Sequence, residues 1–102
     1  MPSYRQQIEI LGLLPGHRPE EVLDTAAASI GATNYVDERA LDVVAGTARI
    51  TVRYTVPDSG PFEEVAEARE VAERCVRDVA GVAVLGRHWL LGRSGGRWFP
   101  VE

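Results

Sequence analysis

Beside its carboxylates, His17, His88, Cys75 and a few hydroxyl side chains are the residues of this chain that carry the chemistry for metal ligation, proton transfer or nucleophilic attack. Metal binding needs several His, Cys or carboxylate ligands converging on one point. His17 falls in the loop before the first expected helix and His88 in a strand, and neither has a second soft ligand close to it in sequence. The spacing predicts no metal site, with His17 on the surface and His88 hydrogen-bonded and partly buried. Cys75 is the single cysteine, which excludes an internal disulfide or a cysteine-based cluster and agrees with a reducing compartment. It lies on an apolar helical stripe and reads as a small core residue. Ser94 stands in a Ser-Gly-Gly turn and no Gly-x-Ser-x-Gly elbow occurs, so a nucleophile with its base is missing. No cofactor and no catalytic set are expected.

A different chemistry concentrates near the C-terminus. The segment from Val82 to Val101 contains Arg87, His88, Trp89, Arg93, Arg97, Trp98 and Phe99, with no acidic residue before Glu102. It holds both tryptophans of the chain. The second expected helix instead carries Glu63, Glu64, Glu67, Glu70, Glu73 and Asp78 against Arg69, Arg74 and Arg77. Trp and Arg dominate interface hot spots because they bury large areas while keeping directional donors. Arg87, Trp89, Arg93, Arg97 and Trp98 are therefore the candidate binding residues. The competing reading is that the tryptophans cap a small core and the arginines are solvated. All eleven basic residues are Arg and none is Lys, a bias that GC-rich coding produces, so each single arginine carries reduced weight.

The elements that position these residues follow from periodicity. Ala48, Ile50, Val52, Tyr54 and Val56 alternate with Arg49, Thr51, Arg53 and Thr55, the pattern of a half-buried strand in an antiparallel sheet. Tyr4 to Leu13 alternates in the same way. Pro19, Glu20 and Glu21 open a helix, Val22, Leu23, Ala26, Ala27 and Ile30 form its apolar stripe, and Gly31 ends it. Ser59-Gly60-Pro61 opens a second helix with the stripe Phe62, Val65, Ala66, Ala72, Cys75, Val76 and Val79, ending at Gly81. Tyr35 to Val44 and Ala48 to Val56 flank Ala45-Gly46-Thr47 as one hairpin; Val82 to Arg93 and Arg97 to Val101 flank Ser94-Gly95-Gly96 as another.

The order of these elements predicts an α+β fold, a ferredoxin-like βαββαβ plait in which two helices cover one face of an antiparallel sheet, plus a C-terminal β-hairpin strand. Residues 1–102 are expected to form a single domain, since a chain of 102 residues has room for one core. The other sheet face is expected to be bare and to show Arg5, Gln7, Glu9, Arg49, Thr51, Arg53 and Thr55.

That fold hosts many functions and licenses none by itself. Gly12-Leu13-Leu14-Pro15-Gly16-His17-Arg18 resembles the strand-to-helix loop of acylphosphatases, where backbone amides and an Arg hold a phosphate. It departs from that pattern because Pro15 and Pro19 lack amide donors and Glu20 and Glu21 occupy the positive helix end, so an ordinary turn is expected. RNA-binding domains of the RRM type place aromatic residues outward on the central strands. Arg49, Thr51, Arg53 and Thr55 hold those positions here, and the net charge of −4 further argues against nucleic acid. The Cys-x-x-Cys of heavy-metal-binding plaits is also missing. No apolar run approaches a membrane span, and the Met1-Pro2-Ser3-Tyr4 start lacks a signal-peptide layout; a cytoplasmic protein is expected. The resulting expectation is a non-enzymatic interaction or assembly module. It would form a homodimer or bind a protein partner through the C-terminal basic, aromatic hairpin or the bare sheet face. A binding domain for a small anionic ligand or single-stranded nucleic acid is the alternative. A small cofactor-free dimeric-plait enzyme, with its pocket between sheet and helices, is a third.

Overall fold

The computed structural model describes residues 1–101. Seven elements follow one another: β1 (Ser3–Leu13), α1 (Pro19–Gly31), β2 (Val36–Val44), β3 (Thr47–Thr55), α2 (Pro61–Ala80), β4 (Ala83–Ser94) and β5 (Arg97–Pro100). The strands form one antiparallel sheet in the order β2-β3-β1-β4-β5. This is the expected α+β plait of the ferredoxin-like type, with β5 added outside β4. No helix among the described residues is long and apolar enough to cross a membrane.

Local chemistry explains where each element begins. At the start of α1 the Glu21 carboxylate accepts a hydrogen bond from the Arg18 backbone N–H at 3.3 Å and pairs with His17 Nδ1 at 2.8 Å. At the start of α2 the Glu64 carboxylate accepts from the backbone N–H groups of Ser59 and Gly60, both at 3.1 Å. Both helices carry Pro at their first position, where a missing N–H costs nothing. The two hairpins turn through residue pairs with positive φ, Ala45 (51°) with Gly46 (81°) and Gly95 (58°) with Gly96 (78°). Such turns match the right-handed twist of the flanking strands.

The core lies between the helices and one sheet face. Ile8, Ile50, Val52, Tyr54 and Val56 are buried there against Val22, Ala26 and Ile30 of α1 and Ala68, Val71, Ala72, Cys75 and Val79 of α2. Small residues let the two helices approach closely, and the Cys75 thiol reaches the Ala26 carbonyl at 3.7 Å. The Tyr54 hydroxyl is satisfied inside this core by donating to the Ala68 carbonyl at 2.8 Å.

The α2 stripe differs from the one expected. Phe62 is 87% exposed and Ala66 is also exposed, whereas Ala68 and Val71 are buried. A 3.6-residue repeat running through Ala68, Val71, Ala72, Cys75 and Val79 leaves Phe62 and Ala66 on other faces of the helix. Position decides here over hydrophobicity. The sheet edges are guarded in different ways: β2 carries Asp37, Glu38, Arg39 and Asp42, and β5 is four residues long and ends in Pro, both devices that discourage strand addition.

Val52 is 1% exposed at the centre of the sheet. Val52→Asp is expected to destabilise the protein by about 3 kcal/mol or more, because the carboxylate is buried without a partner or must be protonated. Tyr54→Phe removes one buried hydrogen bond and is expected to cost about 1 kcal/mol. Urea unfolding curves of the two variants beside the parent measure both.

Candidate functional site

The face of the sheet away from the helices is built in rows that run across the strands. Strand pairing sets Thr51 of β3, Gln7 of β1 and Trp89 of β4 side by side. The Trp89 indole N–H donates to Gln7 Oε1 at 2.6 Å, and Gln7 Nε2 donates to Thr51 Oγ1 at 3.2 Å. The Arg49 guanidinium lies 4.9 Å from the centre of the Trp89 ring.

In the neighbouring row Arg53, Arg5 and Leu91 are in register, and Trp98 of β5 lies opposite Arg93. Three guanidinium groups gather on the Trp98 ring: Arg5 at 4.2 Å, Arg53 at 5.4 Å and Arg93 at 5.7 Å from its centre. A cation over an indole face is attracted by the ring quadrupole, more strongly as water is excluded. Both tryptophans are half-buried.

The third row shows how β4 delivers Trp89 to this face. Between Ile8 and Ile10 of β1 the partner residue jumps from His88 to Leu85, so β4 carries one extra residue. Such a bulge moves every later side chain to the opposite face. Gly86 sits in the bulge, and a Cβ there would lie 3.1 Å from Glu9 Cβ. The space is used by the Glu9 carboxylate, which accepts from Arg87 at its backbone N–H (3.0 Å) and at Nε (3.3 Å). These bonds, the backbone one first, hold the Glu9 carboxyl below the usual carboxylate range.

The cations of this face are only partly neutralised. Arg53 lies 3.4 Å from Asp37, and Arg87 lies on Glu9. Among the described residues Arg5, Arg49 and Arg93 have no carboxylate within ion-pair distance. The Nε–H groups of Arg5, Arg49 and Arg53 are buried and donate to no hydrogen-bond acceptor, so attraction to the indole rings offsets part of their lost hydration.

Four of the five residues expected from sequence therefore meet on this face: Arg87, Trp89, Arg93 and Trp98. Arg97 does not, because alternation along β5 places it on the side opposite Trp98. The hairpin and the bare sheet face, expected as separate surfaces, are one surface. Its aromatic side chains come from β4 and β5 rather than from β1 and β3. Arg5, Gln7, Arg49, Thr51 and Arg53 complete it, and Thr51, expected to be accessible, is only 8% exposed because its neighbours close over it.

The remaining reactive residues stay apart. His17 is engaged with Glu21. His88, expected to be hydrogen-bonded and partly buried, is exposed on the helix side of β4, because the same bulge that exposes Trp89 on one face brings His88 to the other. It stands at an open groove of about 200 Å³ between α2 and the sheet. Cys75 is buried, and desolvation, with Asp78 adding a smaller effect, pushes its thiol up to about 12. No group of three or more metal-ligating side chains occurs among the described residues. No protein-family model and no curated protein sequence matches the chain.

Two measurements check this description. The Cys75 thiol should react with iodoacetamide at least about a hundredfold more slowly in the native protein than in urea at mildly alkaline pH, because the thiolate is the nucleophile. The Glu9 carboxyl has a folded-state pKa below its unfolded value, so its stabilising effect is full above the ordinary carboxylate range and is lost as pH falls through the lowered value. The stability difference between the parent and Glu9→Gln should therefore shrink on acidification, as read from unfolding curves at neutral and acidic pH.

Proposed function

We propose that this protein is a non-enzymatic binding module of the cytoplasm whose uncovered sheet face docks an acidic protein partner. One observation carries the reading: both tryptophans of the C-terminal hairpin lie on the face that no helix covers, Trp89 with Arg49 against its ring and Trp98 with Arg5, Arg53 and Arg93 around its ring. Half-buried indoles held by cations are rigid anchors with little entropy left to lose on binding. Arg5, Arg49 and Arg93 offer donors that no carboxylate of the described residues takes up.

Charge favours an acidic protein over a second copy. Packing two such faces together sets arginines against arginines, and like charges across an interface oppose association. Packing the acidic α2 of one copy on the sheet face of another joins unlike patches, which generates open chains unless a ring closes. A single-stranded nucleic acid is the second reading, favoured by the position of Trp89 and Trp98 on an open sheet face beside arginines.

Both tryptophans report on this face, so indole emission reads its occupancy directly. Short Glu- and Asp-rich peptides carrying one aromatic residue are expected to shift the emission saturably, more weakly as salt rises. Trp98→Ala should weaken binding roughly thirtyfold, the equivalent of about 2 kcal/mol, while Arg97→Ala changes it little. Tighter binding of a thymidine oligonucleotide than of the peptides would shift the assignment to nucleic acid. A response to neither, with a sheet face unchanged by either substitution, would remove the proposal.

A further inference from the structure

Gln6 breaks the pattern of the core. It lies on the helix side of β1 between Tyr4 and Ile8, opposite Val52 and Leu90, and is 2% exposed. A buried amide is unfavourable unless its hydrogen bonds are made. Its side chain makes one, a long contact of 3.5 Å from Nε2 to the neighbouring Gln7 carbonyl, at the outer limit of a useful bond. Among the described residues Oε1 receives no donor. Oε1 is not among the fully enclosed polar atoms left without a partner, so this end of the amide is open to the groove that Gln6 helps to line.

The amide forms part of the floor of the groove between α2 and the sheet. Val76 and Leu90 give it apolar walls, and Arg69 and Glu73, one helical turn apart on α2, stand beside it with His88 across from them on β4. Arg69 and Glu73 have opposite charges, yet neither forms an ion pair or side-chain hydrogen bond with a described residue, with the other included. The volume, about 200 Å³, is below the span of drug-sized sites.

We propose that this groove binds a small zwitterion of free amino-acid size with an uncharged polar side chain. The ligand carboxylate pairs with Arg69, its ammonium group with Glu73, and its side chain supplies the buried Gln6 amide with the partners it lacks. A simple anion is opposed by Glu73 and a simple cation by Arg69, whereas a molecule carrying both charges satisfies both. His88 closes the fourth side as a further polar contact. The site is separate from the Trp and Arg face on the other side of the sheet, and it does not depend on the function proposed for that face.

The test uses the isotope-labelled full chain, with free glutamine, asparagine and serine as probes. Saturable shifts of the Gln6 side-chain amide resonances are expected. N-acetylglutamine and glutamine with an amidated carboxyl group, each lacking one charge, should bind at least tenfold more weakly. Arg69→Gln and Glu73→Gln should produce the same loss with the free amino acids, and Trp98→Ala should leave binding unchanged. Gln6→Leu should abolish binding while the melting temperature holds or rises, an outcome that a purely structural amide does not give. Should Gln6→Leu fail to fold, the two α2 variants and the blocked ligands decide the matter. No response of the Gln6 amide to free amino acids at millimolar concentration overturns the proposal. So does equal binding of blocked and free forms, or binding by Gln6→Leu equal to that of the parent.

Discussion

Two helices cover one face of a five-stranded sheet, and no element of the described chain covers the other. Everything on the second face has to be stabilised by its own side chains. The solution is a layer of arginine and tryptophan, in which the guanidinium groups of Arg5 and Arg53 lie against Trp98 and that of Arg49 against Trp89. Arginine suits this work better than lysine because its cation is planar and weakly hydrated. The arrangement is incomplete in one respect, since three Nε atoms are left without hydrogen bonds.

The two glutamines of β1 show how differently the same side chain behaves on the two faces. Gln7 is bonded at both ends of its amide, to Trp89 and to Thr51, and ties three strands together. Gln6, its neighbour in sequence, points into the core and holds one marginal bond. A satisfied polar network rigidifies, while a partly satisfied one marks strain or an absent partner. The contrast separates a glutamine that ties strands together from one whose amide borders the groove beside α2.

The distribution of charge follows the same division into layers. Glu63, Glu67, Glu70, Glu73 and Asp78 lie along α2, and the uncovered sheet face gathers Arg5, Arg49, Arg53, Arg87 and Arg93. A net charge of −4 conceals this separation. The local field over the sheet face, and not the total, is what an approaching partner meets.

The sequence by itself determined the fold class. Alternation in Ala48 to Val56 identifies a half-buried strand, and proline, glycine and paired acids mark both helix starts, because these signals are local consequences of backbone geometry. It also showed that tryptophan and arginine concentrate in the last hairpin. What only the tertiary structure decided is which residues become neighbours. Trp89 reaches Gln7 across 82 positions, and periodicity names the face a side chain occupies within a strand but not the strand beside it. The extra residue at Gly86 reverses the facing of His88 and Trp89 relative to Leu85; a lone glycine inside a strand signals a bulge but does not say which register it produces. In α2 the hydrophobicity of Phe62 pointed to the core while helical phase left it in solvent and buried Ala68 and Val71 instead. Local preference is written in the chain; register, bulge and helix phase are settled only when the layers pack.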